Sequence, residues 1–307
     1  MAVERFQELR FVFITGKGGA GKTTVAAALG LSLAQRGRRV LIASCGAKER
    51  LSALFGMPPL DSKIQRLAER LWAVRITSDN ALREYGAMIL KSRRLFDAVF
   101  DNKYVKSFFN GVPGLSEWAV LGKAWYHSIE GLESGNPAFD IVLFDAPATG
   151  HGLDMLRVPK VIVDIVPPGV LRRDAERAWS MFQDPTQSGV VVVTLPEDMP
   201  TNETAELVTA LRGELGLPVA LLVINQVLPE LFSPEERALL LEPRSLDRAK
   251  PGDEAVACGV RRAIRERIQA ESLFRLDALA VPSVRLPLVL SGAETEDSLR
   301  TLAAEHF

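Results

Sequence analysis

The chain has 307 residues, 47% of them apolar, which is enough to bury a large core in one big domain or two. Its 37 basic and 38 acidic residues leave a net charge of −1, which argues against a dedicated nucleic-acid binder or a polybasic membrane anchor. The two cysteines, Cys45 and Cys258, form no C-x-x-C, so neither a disulfide framework nor a zinc site is expected, and a reducing cytoplasm fits.

The charged stretch from Met1 to Gln7 has no apolar centre and reads as no signal peptide. No apolar run reaches the roughly 18 residues of a membrane span. The first strong signal is the β-rich run Phe11–Thr15, followed by Gly16-Lys17-Gly18-Gly19-Ala20-Gly21-Lys22-Thr23-Thr24 and then a helical run, Val25–Gln35. Gly16, Gly21, Lys22 and Thr23 fit G-x-x-x-x-G-K-[ST], the phosphate loop. Glycines let such a loop curl so that backbone N–H groups point at phosphate oxygens, and the following helix offers its positive end. In that pattern Lys22 reaches the β- and γ-phosphates of ATP, and the Thr23 hydroxyl ligates Mg²⁺.

The next strand, Val40–Ser44, runs into Cys45, Gly46, Ala47, Lys48 and Glu49. Cys45 reads as a small packed residue, with a redox-sensitive thiol as the alternative. After a strand at Leu71–Ile76, the segment Asp79–Gly135 breaks the alternation. It reads as helices, Ala81–Phe96 and Glu117–Ser134 among them, with a break at Gly111-Val112-Pro113-Gly114. Its apolar and aromatic residues, Leu82, Tyr85, Met88, Ile89, Phe96, Phe100, Phe108, Phe109, Trp118, Trp125 and Tyr126, read mostly as core packing, with a client or partner groove as the alternative.

Phe139–Asp145 is a strand that ends in a carboxylate. An acid at the tip of a strand beside a phosphate loop suits Mg²⁺, which takes hard oxygen ligands; a helix N-cap is the plainer reading of Asp145. Gly150, in Ala146-Pro147-Ala148-Thr149-Gly150-His151, is expected to make that stretch a mobile loop able to sense the γ-phosphate. Strands follow at Val190–Thr194 and Ala220–Asn225, with a weaker one at Val281–Leu286. Between the last two lies a long Arg-rich helix, Ala255–Leu276, whose Glu266 and Arg267 read as a solvated face. Continuously apolar strands alternating with helices predict an α/β fold, a mostly parallel sheet flanked by helices. The whole chain, 1–307, reads as one P-loop NTPase domain with a helical subdomain inserted at about 79–135. Ligands in such sheets bind beyond the carboxyl ends of the strands, where these motifs fall.

Several stretches resemble one family. The loop with its early Lys17 resembles the deviant phosphate loop of the MinD/ParA/NifH/ArsA class, in which that lysine crosses a dimer interface to the partner's phosphates. Asp145-Ala146-Pro147-Ala148-Thr149-Gly150-His151 resembles the switch II stretch of the ArsA family, Asp-Thr-Ala-Pro-Thr-Gly-His, which serves arsenite pumps and the targeting of tail-anchored membrane proteins. Pro113-Gly114-Leu115-Ser116-Glu117 resembles that family's Pro-Gly-x-x-Glu. Val223-Ile224-Asn225-Gln226 resembles its adenine-reading Asn, and Leu286-Pro287-Leu288 its base-covering loop. The likeness runs from about Arg10 to about Leu302. It implies a dimeric ATPase with Lys17, Lys22 and Asp145 as catalytic residues. Gly16, Lys17, Gly18, Gly19, Ala20, Gly21, Lys22, Thr23, Thr24, Asn225 and Pro287 would contact ATP, with Thr23 and Asp145 at Mg²⁺. His151 falls near the dimer seam, and Asn225 by its residue type alone could also cap a helix or hold a turn.

The departures are informative. Anchoring on Leu51-Ser52 and Phe55-Gly56 places Gly46 where the family has the Asp that polarises the attacking water. Glycine cannot orient water, so either this subunit pairs with a paralogous partner that hydrolyses ATP, or Glu49 or another acid substitutes in a working homodimer. Clustered cysteines for a metalloid are missing, and the short stretch from Pro159 to Val190 leaves no room for a Met-rich insert that would hold membrane helices. The expected function is a nucleotide-driven switch for a protein client. The alternative is a ParA/MinD-type positioning ATPase, which the acidic end Glu294–Phe307 and the balanced charge disfavour. A NifH-type reductase would need cluster-ligating cysteines that the chain lacks.

Overall fold

The computed structural model describes residues 2–46, 49–89, 114–132, 135, 138–147, 149–243, 245–247, 249–289 and 295–307. Its strands are β1 (Phe11–Gly16), β2 (Val40–Ser44), β3 (Gln65–Ala68), β4 (Leu71–Arg75), β5 (Ile141–Asp145), β6 (Ser188–Thr194), β7 (Val219–Val227) and β8 (Ser283–Pro287). They form one eight-stranded sheet in the order β3-β4-β2-β5-β1-β6-β7-β8. Every neighbouring pair is parallel except β3 with β4.

The expected strands are all present, with ends moved by a few residues. β3 has no counterpart in the sequence reading. Gln65-Arg66-Leu67-Ala68 is half-buried and not a β-rich apolar run. Its turn into β4 uses Arg70 at φ 57°, without the Gly or Asn that usually marks such a hairpin.

The helices are α1 (Lys22–Gln35), α2 (Ser78–Ile89), α3 (Leu115–Ile129), α4 (Thr149–Ile165), α5 (Val170–Gln183), α6 (Asp198–Thr209), α7 (Pro234–Leu241), α8 (Pro251–Asp277) and α9 (Glu296–His306). Strands β1, β2, β5 and β6 are buried at every position, because helices cover both faces. Along β1, Phe11 and Phe13 enter one core with α3, α4 and α5, while Val12 and Ile14 enter the other with α1 and α9. Phe13 packs edge-on against Phe11 and Phe182, with ring centroids 4.8 and 4.9 Å apart, so α5 is keyed to the strand that carries the loop. Among the described residues no helix is long and apolar enough to cross a membrane.

The proposed helical insertion lies largely outside the described residues, which show α2 and α3 at its two ends. Helix α3 stops at Ile129, short of the expected Ser134. Leu82, Trp118 and Trp125 are buried as core residues, whereas Tyr126 is 46% exposed. The break at 111–113, the C-terminal part of the first expected helix and the side chains from Tyr85 to Phe109 fall outside the description.

Helix α8 corrects one expectation. Glu266 is not on a solvated face but 1% exposed. Its carboxylate accepts hydrogen bonds from the Leu231 N–H at 2.9 Å, the Phe232 N–H at 3.4 Å and Arg262 Nε at 2.7 Å. Gln269, a turn later, accepts from the Leu228 N–H at 2.8 Å and donates to the Leu228 carbonyl at 2.9 Å. Together they clamp the segment that follows β7 onto α8. A helical charge reads as solvated when its partners are backbone groups far along the chain. Arg267 is exposed as expected, with 56% of its side chain in solvent.

Glu266→Ala leaves two backbone N–H groups and a guanidinium without their acceptor. It is expected to lower stability by about 2–4 kcal/mol in urea denaturation, while Arg267→Ala changes it little.

Candidate functional site

The glycine loop leaves the carboxyl end of β1, between β5 and β6, and opens α1. Two close approaches dictate its glycines. Gly16 has φ +140°, and a Cβ there would lie 2.0 Å from the Val193 carbonyl oxygen of β6. Gly21 has φ +94°, and a Cβ there would lie 2.3 Å from Asn225 Nδ2 of β7. Any side chain at either position would be strained as well as blocked. Gly18 and Gly19 form the exposed tip, and Ala20 is buried beneath it. The first turn of α1, with Lys22, Thr23 and Thr24, has no acidic residue and no side-chain cap, so nothing local offsets its positive end.

Lys22 folds back over the loop, its Nζ donating to the carbonyls of Gly16 at 3.0 Å and Lys17 at 3.2 Å. Burial lowers its pKa, against the pull of Asp145 and Cys45. The Thr23 hydroxyl donates to Asp145 Oδ2 at 2.8 Å. Asp145 ends β5, is 4% exposed, and precedes the start of α4 by four positions, so it is not that helix's N-cap. Burial pushes its carboxyl up to about 6, in spite of the Thr23 hydrogen bond, the Lys22 charge and the Ser44 hydrogen bond. A hydroxyl beside a carboxylate is the hard-oxygen pair that Mg²⁺ takes, and the charge missing around Asp145 is positive, so the residues present fit that cation.

Asn225 lies against the loop. Its Nδ2 donates to the Ala20 carbonyl at 2.8 Å, and its Oδ1 accepts from the Gln226 N–H at 2.9 Å. Gln226 sits at φ 59°, in the irregularity where β7 shifts register against β8. Asn225 thus ties β7 to the phosphate loop. Pro287 is the exposed last residue of β8, paired with Val227, and the Leu288 N–H donates to the Val227 carbonyl at 2.9 Å.

At the end of β2, Cys45 is a packed residue. Its thiol donates to the Asp145 carbonyl at 3.2 Å, and burial pushes its pKa up, away from reactive thiolate. Gly46 follows it, and residues 47–48 lie outside the description. Glu49 has its own work. Its Oε1 accepts from the Ser52 N–H at 2.9 Å, and its Oε2 accepts from the Ser52 hydroxyl at 2.5 Å and the Leu60 N–H at 3.3 Å. Both oxygens are committed to holding the turn after Gly46. Thr149, Gly150 and His151 lie in the first turn of α4, not in the loop expected there. Two glycines among Thr149-Gly150-His151-Gly152 favour a loop by propensity, so the helix start is hidden in sequence.

The sequence reading missed Glu203, which pairs with Lys17 at 3.0 Å from 186 residues away. It is an unremarked acid in α6, and no local pattern points to it.

Comparison with known proteins agrees with this geometry. The family model described as anion-transporting ATPase matches residues 9–167 and 171–244. The chain belongs to this ArsA family. By that membership it is an ATPase. Among its relatives in the family is the ATPase BagA of Mycobacterium tuberculosis, 28% identical over 94% of this chain and 90% of that protein. The ATPase ASNA1 homolog of Entamoeba dispar is 25% identical over 73% of this chain and 78% of its own length. The arsenical pump-driving ATPase of Escherichia coli is 27% identical over 72% of this chain, and the match spans 40% of that longer protein.

The raised pKa of Asp145 sets a sign. Its buried charge costs almost nothing below about pH 3, where folded and unfolded carboxyls are both largely protonated. The cost grows in as pH rises toward the folded value of about 6. Asp145→Asn in this ArsA-family chain is therefore expected to stabilise the nucleotide-free protein by about 1–3 kcal/mol at pH 7 and by almost nothing at about pH 3. Urea denaturation at both values checks this, and Mg²⁺-dependent nucleotide binding should weaken in the same variant.

Proposed function

We propose that this ATPase is a slow, nucleotide-driven conformational switch that works in the cytoplasm as a dimer, with itself or with a paralogous ArsA-like subunit. One observation carries the slow part. At the position where water would be positioned stands Gly46, and the nearest acid along the chain, Glu49, spends both carboxylate oxygens on Ser52 and Leu60. This favours the reading in which a partner subunit supplies efficient hydrolysis over the one in which Glu49 substitutes.

In this reading the phosphates of ATP lie in the loop from Gly16 to Thr24. Lys22 exchanges the carbonyls of Gly16 and Lys17 for phosphate oxygens. Thr23 and Asp145 hold Mg²⁺, which neutralises phosphate charge. Asn225 keeps one N–H and one lone pair beyond its bonds to Ala20 and Gln226, enough to meet an adenine edge, with Pro287 beside it. Lys17 serves the partner's phosphates, and the helical region 79–135 handles a protein client. A metalloid cargo of the kind an arsenical pump handles suits the chain poorly. It would need soft thiolates, and of the two cysteines Cys45 is half-buried with its thiol bonded to the Asp145 carbonyl while Cys258 stands apart on α8.

Single-chain turnover with Mg²⁺-ATP tests this. Wild type should bind ATP and turn it over slowly. Gly46→Asp should raise kcat by about 10- to 100-fold, the scale of a restored water-positioning group. Glu49→Ala should leave kcat unchanged while lowering stability. Fast turnover by wild type that Glu49→Ala abolishes would sink the reading in favour of a self-sufficient homodimer.

A further inference from the structure

We propose that Glu203 is a latch for Lys17. In the nucleotide-free monomer it holds the loop lysine on its own subunit, and Lys17 reaches a second subunit only after this ion pair opens. The inference rests on the dimer reading above and adds the residue that restrains it.

The geometry has three parts. First, Lys17 Nζ donates to Glu203 Oε1 at 3.0 Å, with the two side chains 30% and 37% exposed. A pair in that condition keeps its geometry yet opens more readily than a fully buried one, as a releasable contact must. Second, Glu203 is set in place from below. The next residue, Thr204, donates its hydroxyl to Thr194 Oγ1 at 2.8 Å, and Thr194 Oγ1 donates to the Pro200 carbonyl at 3.3 Å. Thr194 ends β6, the strand whose Val193 presses on Gly16. The strand that shapes the start of the loop therefore also anchors the helix that holds its lysine. Third, Glu203 Oε2 is buried and has no hydrogen-bond partner. A carboxylate with one oxygen already unmet is left without any partner when Lys17 swings away, so the pair re-forms once the partner's phosphates depart.

Lys17 carries a second tie, through its backbone. Its carbonyl accepts from Lys22 Nζ and from the Ala20 N–H, both at 3.2 Å. Nucleotide entering the loop draws Lys22 off that carbonyl. The partner's phosphates, richer in charge than one carboxylate, then draw the ammonium off Glu203. The two ties open in that order, so assembly follows nucleotide and the empty chain stays alone.

The test uses the full chain with Glu203→Gln, Glu203→Asp and Lys17→Ala. The first readout is the rate at which an amine-reactive ester modifies Lys17 in nucleotide-free protein, followed by peptide mass spectrometry. Both Glu203 variants should speed it by roughly two- to fivefold, the opening of one partly exposed ion pair. The second readout is sedimentation velocity with Mg²⁺-ATP and with ADP. Glu203→Gln should tighten ATP-dependent dimerisation by about tenfold, since each dimer opens two latches, and should have no effect in the Lys17→Ala background. Unchanged Lys17 reactivity in both Glu203 variants overturns the latch. Faster modification with a dimer no tighter than wild type overturns it as a brake on assembly. Faster modification in a chain that ATP never assembles overturns the dimer reading and leaves the ion pair standing.

Discussion

The structure depends on how little room surrounds the phosphate loop. Gly16 is pressed against the Val193 carbonyl of β6, and Gly21 against the Asn225 amide of β7. Neither neighbour can yield. Val193 is backbone in a strand buried at every position, and Asn225 is fixed by bonds to Ala20 and Gln226. The loop's curve is therefore imposed from the sheet rather than chosen by the loop. Packing of the Phe11, Phe13 and Phe182 rings transmits the same rigidity from the core. A shape held this way is fixed before any ligand arrives, which is the pre-organisation that a phosphate-binding loop needs.

Charge at the site points the same way. Asp145 and Lys22 are both pushed toward their neutral forms by burial, although they attract each other. Their mutual attraction fails to offset desolvation, so the protein's own groups serve both charges poorly. A polyanion with a divalent cation would serve both at once: the phosphates for Lys22 and the end of α1, the cation for Asp145 and Thr23. The site is thus costly while empty and relieved when filled, which couples ligand binding to the stability of the loop and its neighbours.

The frame was legible in the sequence wherever one residue type does one physical job. The apolar run Val40–Ser44 became a strand with those bounds, and Phe139–Asp145 one that starts at Ile141, because only burial on both faces explains such runs. Lys22 and Thr23 sit against Gly16 and Asp145, the loop residues through their motif spacing and Asp145 through its place at the tip of the neighbouring strand. What stayed hidden is what depends on partners distant in sequence. Glu266 looks like a surface acid until α8 docks on the segment after β7. Glu49 looks like a spare carboxylate until the chain turns back at Ser52 and Leu60. Glu203 looks like nothing in particular until β6 and β1 lie side by side. Strand β3 escaped for a different reason: edge strands with one wet face need no apolar run, and Arg70 adopts a turn conformation that its residue type does not advertise.

These hidden acids share a consequence for function. Each acid that the structure resolves near the loop already has a partner: Asp145 has Thr23, Glu203 has Lys17, and Glu49 has Ser52 and Leu60. These carboxylates hold the loop, its lysine and the turn beyond Gly46, and the Glu203 oxygen left without a hydrogen bond, Oε2, is buried. In the proposed reading the binding and restraining groups are present, while Gly46 stands where the water-positioning acid would be. In the proposed dimer that division makes nucleotide chiefly a clamp. The closed state would last as long as the slow step allows, and its length would be set by whichever subunit brings the missing acid. On that proposal the chain would respond to the presence of ATP more than to its consumption, and its restraints, rather than its chemistry, would decide when it closes.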